Sequence, residues 1–132
     1  MTRVFVDTSA VMALLNPDDQ AHDPARAAFD RLRERDAPLV TTSFVLVEIY
    51  ALLGRRMGLE AVQRFREDFA PLLEVLWVGQ ELCEAGLDLV LDRGLRDLSL
   101  VDAVSFLVIR RQKLDRVFAF DQHFEREGFD SV

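Results

Sequence analysis

Cysteine, histidine, glycine and proline are scarce in this 132-residue chain, and the scarcity excludes several classes of site. Cys83 is the only cysteine, which excludes an internal disulfide and a thiolate zinc site. The two histidines, His22 and His123, are far apart in the sequence, so a zinc site of histidines is also poorly supported. With half of its residues hydrophobic, the chain has the composition of a folded domain and not of a disordered segment.

Long apolar runs are also missing. None approaches the ~20 residues that a transmembrane helix needs. Met1-Thr2-Arg3 leads directly into a strand-like segment, without the apolar stretch of a signal peptide. We therefore expect a cytoplasmic protein with no membrane segment, and the length fits one domain over residues 1–132.

Positive charge is in deficit, because 16 lysines and arginines face 23 aspartates and glutamates, for a net charge of −7. This balance disfavours a nucleic-acid partner, since a phosphate backbone attracts basic surfaces. Four of the acids stand at unusual positions, however, and removing their charges leaves only −3. A cation bound to those four would reverse the local field, so the composition leaves a nucleic-acid partner open.

Short apolar segments alternate with helical periodicity along the chain. β-branched and aromatic residues predict strands at 4–6, 39–41, 73–78 and 116–120. Apolar spacing predicts helices at 10–15, 24–35, 43–56, 59–69, 80–93 and 99–112, with a short one after residue 121. Strands this short and apolar, separated by helices, predict an α/β fold: a three-layer α/β/α sandwich around a mostly parallel sheet.

Four carboxylates interrupt runs that otherwise predict buried structure. Asp7 ends the first strand and Asp121 the last, while Glu48 and Asp102 lie inside apolar helical segments. An isolated ionised carboxylate in apolar surroundings is costly, so such groups are normally paired, protonated or bound to a metal. No matching buried bases accompany these four, which predicts a shared cation.

Three of the four acids also have a structural alternative. Asp7 and Asp121 stand at strand-to-helix junctions, where Asp is a favoured N-cap. Asp102 follows Ser99 by three residues, which is the spacing of a capping box. Glu48 has no such explanation, because its helical neighbours are apolar and neither flanking turn offers a base. We expect that helix to be buried on all sides of its first two turns, with Glu48 pointing at a group that stabilises its charge. The alternative is a surface notch from which the Glu48 carboxylate extends to solvent.

Parallel-sheet topology predicts that the four acids meet. The carboxyl ends of parallel strands form the crevice where ligands bind. Asp7 and Asp121 follow strands directly, and Glu48 and Asp102 lie in early turns of helices that can reach the same edge. Oxygen ligands are those of Mg²⁺ or Mn²⁺, which can activate a water for attack on a phosphodiester.

Hydroxyls and bases near these acids are secondary candidates. The hydroxyls that could support the acids or a bound water are those of Thr8, Ser9, Ser99 and Ser105. The bases that could contact RNA are Arg110, Arg111, Lys113 and Arg116, with Arg55 and Arg56 at the end of the Glu48 helix. Both sets have an ordinary alternative, as caps or as charges that the helix dipole favours, and the sequence leaves the choice open.

In this order and context, the four acids resemble those of the PIN-domain ribonucleases, and within them the VapC-type toxins of toxin–antitoxin pairs. The likeness covers essentially the whole chain. It rests on Val6-Asp7-Thr8-Ser9, on Glu48 in its apolar helix, on Ser99-Leu100-Val101-Asp102-Ala103, and on Ala119-Phe120-Asp121-Gln122-His123-Phe124 with Gly128-Phe129 beyond.

The resemblance implies an α/β/α sandwich that cleaves RNA with Mg²⁺ or Mn²⁺. Asp7, Glu48, Asp102 and Asp121 would then be the metal-binding and catalytic acids, assisted by Thr8 or Ser9. It also implies a homodimer and a cognate antitoxin, which covers a hydrophobic groove and can place a basic side chain in the acidic site.

Alternative functions remain at this stage. A non-catalytic module of the same fold could use the acids for a structural ion and bind only a protein partner. A phospho-acceptor signalling domain also groups acids at strand ends, but it is disfavoured, because the third strand ends in Val78-Gly79 and Asp121 has no adjacent lysine. DNA instead of RNA stays open as substrate, and the sequence does not reveal which RNA is cut.

Overall fold

Within residues 2–132, which a computed structural model of the chain describes, four short parallel strands form the centre of the fold. They lie in the order β3-β2-β1-β4. Their bounds are Val4–Val6 for β1, Leu39–Thr42 for β2, Leu73–Leu76 for β3 and Arg116–Phe118 for β4. The strands predicted at 73–78 and 116–120 are each two residues shorter than expected.

Helices make up most of the remainder of the described chain. Their bounds are Thr8–Leu15 for α1, His22–Glu34 for α2, Ser43–Met57 for α3, Leu59–Arg64 for α4, Gln80–Arg93 for α5, Leu100–Arg111 for α6 and Gln122–Arg126 for α7. Among residues 2–132, no helix combines the length and the apolarity needed to cross a bilayer.

The helix predicted over 59–69 changes its winding partway. After α4 the chain forms one π-helical turn at Phe65–Phe69 and then a 3₁₀ turn at Ala70–Leu72. The wider turn keeps Phe65 and Phe69 on the buried side, where their rings stack with centroids 5.3 Å apart. Pro71 follows and removes a backbone donor, which ends the α-helical pattern.

Crossover connections place helices on both faces of the sheet. The connections β1 to β2 and β2 to β3 run in one direction along the sheet, and β3 to β4 runs back across it. Right-handed crossovers in opposite directions put their helices on opposite faces. Accordingly α1 packs on α2 and α3, while α5 packs on α6. The predicted α/β/α sandwich is confirmed.

Buried hydrogen bonds fix the carboxyl edge of the sheet. All three residues of β1 are buried, and the Thr41 hydroxyl donates to the Val6 carbonyl at 2.8 Å. The next backbone N–H, that of Asp7, donates to the Phe118 carbonyl at 3.0 Å. Strand order reverses between β1 and β4, so this bond spans the switch point at which α/β sheets bind ligands.

Close packing of α5 on α6 depends on Gly86, which is buried in the middle of α5. A Cβ built there would lie 2.6 Å from Val104 Cγ2 and 3.2 Å from Leu100 Cδ1, both on α6. Since α6 carries Asp102 in its first turn, this contact also sets the position of one of the four acids.

We predict that Gly86→Ala lowers the free energy of unfolding by roughly 1–3 kcal/mol, because the added methyl group forces α5 and α6 apart. Urea denaturation measures the change. Gly54→Ala is the matched control, since Gly54 is also helical and its Cβ would meet Val62 Cγ2 at an ordinary 3.7 Å. Equal stability of the two variants would contradict the packing role of Gly86.

Candidate functional site

The four predicted acids line one open cleft of about 610 Å³ at the carboxyl edge of the sheet. Asp7 follows β1 and caps α1, and Asp121 lies beyond β4 and caps α7. Glu48 projects from the second turn of α3, and Asp102 from the first turn of α6. Residues up to 114 positions apart in the sequence thus share one pocket.

Asp7 is the most buried of the four, with 3% of its surface exposed. Its Oδ2 accepts hydrogen bonds from the Ser9 backbone N–H at 3.0 Å and from Ser9 Oγ at 2.7 Å. Ser9 Oγ in turn accepts the Phe120 N–H at 2.9 Å. Ser9 therefore ties Asp7 to the segment that leads into Asp121, which is a supporting role of the kind predicted for it.

Ser99 and Asp102 form half of the predicted capping box. Ser99 Oγ accepts the Asp102 N–H at 3.0 Å and caps α6. Within the described chain, the Asp102 carboxylate does not return the bond to Ser99. It turns into the cleft instead, where its Oδ2 lies 2.9 Å from His123 Nδ1.

Asp121 combines a capping role with a place in the cluster. Its Oδ1 accepts the His123 backbone N–H at 2.9 Å and lies 3.1 Å from the Nδ1 of the same residue. Potential ligand atoms of Asp102, Asp121 and His123 lie within 4.8 Å of one another. The capping role of Asp7 and Asp121 is therefore compatible with a role in the site, since both residues also line the cleft.

Glu48 reaches the cleft from a helix that is less buried than predicted. Val45, Ile49 and Leu53 face the core, but Val47 is 65% exposed on the opposite side. The expectation that α3 is buried all round was wrong, because only one face of the helix packs on the sheet. Glu48 lies at the edge of that face, half-buried and open to the cleft.

Burial and neighbouring acids shift Asp7 and Asp102 towards the protonated form. Burial raises the pKa of Asp7 to about 6 from the ordinary 3.8, opposed by the Ser9 hydrogen bonds and reinforced by Asp102 and Glu48. Burial also raises the pKa of Asp102, as do Asp121 and Glu48, against the opposing contact with His123. Negative charge at this edge therefore lacks full compensation from the protein itself.

Thr8 has a buried hydroxyl that makes no hydrogen bond within residues 2–132. The residue is 5% exposed and lines the cleft, yet Thr8 Oγ1 has no hydrogen-bond partner among residues 2–132. Buried polar groups are nearly always satisfied, often by a water or an ion. Several carboxylates and one free hydroxyl are hard oxygen donors, so the residues present fit a divalent cation such as Mg²⁺ or Mn²⁺.

Other predicted residues lie away from the cluster. Ser105 is fully buried and its hydroxyl donates to the Val101 carbonyl at 2.9 Å, so it supports α6 and not the acids. The four bases predicted to contact RNA are Arg110, Arg111, Lys113 and Arg116, at or beyond the C-terminal end of α6. Asp102 is in the first turn of α6, ~12 Å from Arg110 along the axis.

Two of these bases are engaged elsewhere on the surface. Arg110 pairs with Glu127 and lies over the Phe129 ring, 5.2 Å from its centroid. Arg111 pairs with Glu81 at 2.9 Å. Their contact with RNA stays a prediction, and it would have to occur outside the acidic cleft.

The cleft also contains Asp97, Phe120 and His123, to which the sequence assigned no role, and Arg56, which the sequence offered as an RNA contact. His123 could have been found, because it stands two residues after Asp121 in the first turn of a helix that Asp121 caps. Arg56 lies two turns after Glu48, at the end of α3. Asp97 gave no signal, since it stands in a loop of ordinary polar composition.

Comparison with known proteins places this geometry in a family. The sequence matches the family described as the PIN domain over residues 4–129. It is 36% identical over 131 residues to the 23S rRNA-specific endonuclease VapC20 of Mycobacterium tuberculosis, in strains CDC 1551 and H37Rv. The aligned region covers 98% of this chain and 97% of the relative.

Solved structures agree with the sequence match. The crystal structure of M. tuberculosis VapC20, titled a sarcin–ricin loop cleaving toxin, superposes with a TM-score of 0.83 at 34% identity and covers 98% of both chains. FitAcB from Neisseria gonorrhoeae superposes with a TM-score of 0.70 over 98% of this chain and 96% of its own, and at 13% identity it shows the fold alone. The resemblance drawn from the four acids is confirmed, and the chain belongs to the PIN-domain family.

Proposed function

We propose that this protein is a metal-dependent endoribonuclease and the toxin of a toxin–antitoxin pair. The observation that carries the proposal is the convergence of Asp7, Glu48, Asp102 and Asp121 on one cleft beside the unsatisfied hydroxyl of Thr8. Full-length similarity to proteins named as 23S rRNA-specific endonucleases supports RNA as the substrate. By that similarity, the sarcin–ricin loop of 23S rRNA is the first substrate to test.

Each residue of the cleft has a part in this chemistry. Asp7, Glu48, Asp102 and Asp121 would hold Mg²⁺ or Mn²⁺. A cation bound there supplies Lewis-acid stabilisation of the phosphoryl oxygens and makes a water nucleophilic near neutral pH. Ser9 orients Asp7, and the cap of α6 by Ser99 fixes the turn from which Asp102 projects.

Substrate contacts are provided on the rim of the same cleft. Of the described residues that line it, Arg56 and His123 are the basic ones, and Arg56 is exposed to meet a phosphate. Phe120 is 40% exposed beside Asp121. An exposed ring at this position can stack on an unpaired base, as is typical of recognition of RNA loops.

We predict that Asp102→Asn lowers the rate of cleavage of 23S rRNA by roughly 100-fold or more, because a ligand and its charge are lost. Mg²⁺ or Mn²⁺ at millimolar concentration should raise the melting temperature of the wild type, and raise that of the variant less. Asp88→Asn, on the exposed face of α5, is the control and should match the wild type in both assays.

Two outcomes would count against the proposal. Cleavage by Asp102→Asn at the wild-type rate, or cleavage by the wild type at the same rate in EDTA as with metal, would contradict the metal-dependent mechanism. A metal-dependent rise in melting temperature without cleavage of ribosomal RNA, transfer RNA or DNA would favour the non-catalytic module instead.

Asp7 makes metal-free stability depend on pH. Its folded pKa of about 6 lies above the ordinary 3.8, so the folded state holds a proton that the unfolded state has lost between these values. Stability therefore falls as the pH rises from 4 to 6, and the whole cost remains above pH 6.

Asp7→Asn removes this charge and should stabilise the metal-free protein at pH 8 by on the order of 3 kcal/mol at most. The gain should shrink towards zero near pH 3, which lies below both pKa values, so that both states of the wild type are largely protonated at this residue. Urea denaturation across this pH range in EDTA measures it, with Asp88→Asn as a control without such a trend. A loss of stability at pH 8 would mean that the interaction of the ionised Asp7 with Ser9 and with the dipole of α1 outweighs the cost of its burial, since Asn is itself a good N-cap.

An apolar groove offers the docking place that the proposed antitoxin needs. It measures about 800 Å³ and lies between α2 and the segment from α4 to the 3₁₀ turn. Its apolar lining comprises Leu14, Leu15, Phe29, Met57, Ala61, Phe65, Phe69 and Leu72. Charges of both signs border it, among them Arg26, Arg33, Asp30 and Glu60. An amphipathic segment of the antitoxin fits such a groove, its apolar face inward and its charges on the rim.

We predict that Ala61→Arg weakens antitoxin binding at least ~tenfold, because the long side chain fills the groove. RNA cleavage should stay intact, because the groove does not include the four acids of the cleft. Leu59→Arg is the control, since Leu59 is 83% exposed on the same helix and does not line the groove. Affinity is measured with the product of a small reading frame adjoining the gene. Unchanged binding by Ala61→Arg would place the antitoxin elsewhere.

Homodimer formation and a cytoplasmic location stay predictions. Val47 and Trp77, which are 65% and 73% exposed, are the apolar side chains that we propose for contact with a second copy. The segments that carry them are joined by the hydrogen bond from the Val78 N–H to Ser43 Oγ at 2.9 Å.

A further inference from the structure

His123 occupies a position in the cleft that the acid quartet does not explain. Its Nδ1 lies 2.9 Å from Asp102 Oδ2 and 3.1 Å from Asp121 Oδ1, so one ring nitrogen faces two of the acids at once. Its side chain is 20% exposed and lines the cleft. A surface histidine that merely capped or solvated α7 would not be placed between two carboxylates.

The other ring nitrogen, Nε2, contacts Asp97. His123 Nε2 lies 3.2 Å from Asp97 Oδ2. A carboxylate only accepts, so in the metal-free protein each ring nitrogen donates a hydrogen, Nε2 to Asp97 and Nδ1 to Asp102. A cation that took the place of the Nδ1 hydrogen would leave the remaining proton at Nε2, held by Asp97, and the Nδ1 lone pair directed at the ion. Carboxylate–histidine pairs of this kind orient the histidine ligands of metal sites.

Distances within the cluster suit one coordination sphere. The candidate ligand atoms of Asp102, Asp121 and His123 lie within 4.8 Å of one another. Ligands at 2.0–2.6 Å from a common ion are at most roughly 4–5 Å apart. Thr8 Oγ1, buried and without a partner among the described residues, independently indicates that a group outside the protein binds in this cleft.

We propose that His123 Nδ1 is itself a metal ligand, oriented by Asp97, and that it makes the site prefer Mn²⁺ to Mg²⁺. The inference rests on the proposed metal site and adds a nitrogen donor to its oxygen ligands. Mg²⁺ takes oxygen ligands almost exclusively, whereas imidazole is a good ligand for transition-metal ions. The nitrogen therefore adds affinity for Mn²⁺ that it does not add for Mg²⁺.

Electron spin echo envelope modulation of the Mn²⁺-loaded protein tests the bond directly, because it detects a nitrogen nucleus coordinated to the ion. The wild type should show ¹⁴N modulation that changes to the ¹⁵N pattern when only histidine is ¹⁵N-labelled. His22→Gln should retain the signal, since His22 binds the Ala13 carbonyl at 2.9 Å and does not line the cleft. In that variant, His123 is the only histidine left.

Binding isotherms supply the second readout. His123→Gln should weaken Mn²⁺ binding by ~10-fold or more while changing Mg²⁺ binding by less than ~2-fold. Asp97→Asn should weaken Mn²⁺ binding in the same direction but less, because it disturbs only the orientation of the ring. Circular dichroism of the metal-free variants checks that they are folded, and the labelled wild type gives its answer without any substitution.

The possible results separate this inference from the function on which it rests. Mn²⁺ bound to the wild type without histidine modulation, or equal losses of both ions in His123→Gln, would overturn the role of His123 and leave the acid site intact. A wild type that binds neither Mn²⁺ nor Mg²⁺ would overturn the metal site as well.

Discussion

Negative charge buried at the β1–β4 switch point is the constraint on which the rest of this structure depends. Asp7 is nearly inaccessible to solvent, and residues 2–132 supply it with two hydrogen bonds from Ser9 but no base. Glu48 and Asp102 add repulsion from two further helices. Because no opposite charge compensates Asp7 within the described residues, the ionised cluster lowers the free energy of unfolding at neutral pH. The proposed cation would offset that cost, which would couple the metal to the integrity of the site as well as to its chemistry.

The same residues that build the fold also build the site. Asp7 and Asp121 begin helices as N-caps, and Ser99 begins the helix that carries Asp102. Because each cap fixes the first turn of its helix, the carboxylates are held without long flexible side chains. The Ser9 hydroxyl has both roles, because it donates a hydrogen bond to Asp7 and accepts one from the Phe120 N–H. Pre-organised ligands of this kind lose little conformational entropy when an ion binds.

Much of this could be predicted from the sequence, because strands of three or four buried residues and capped helices are local patterns. The four acids were found because a charge within an apolar run conflicts with its surroundings, and parallel topology then required them to meet. Burial of α3 on every side was wrong, since periodicity shows that Val47 is apolar but not what covers it. Asp97 was missed because its contact with His123 joins residues 26 positions apart, which no local pattern contains. His123 was given no role although it stands two residues after Asp121.

The proposed binding of RNA by an acidic protein poses an electrostatic problem. Arg110 and Arg111, at the end of the Asp102 helix, pair with Glu127 and Glu81, which reduces the positive charge that they offer to a phosphate backbone. Of the described residues that line the cleft, Arg56 and His123 are the basic ones, and the others that carry charge are acidic. A phosphodiester can approach such a cleft only when a cation reverses its field. A basic side chain inserted by an antitoxin would satisfy the same carboxylates without supplying the ion's chemistry. On this proposal, activation by the cation and inhibition by the antitoxin would be two ways of neutralising one cluster, and each would exclude the other.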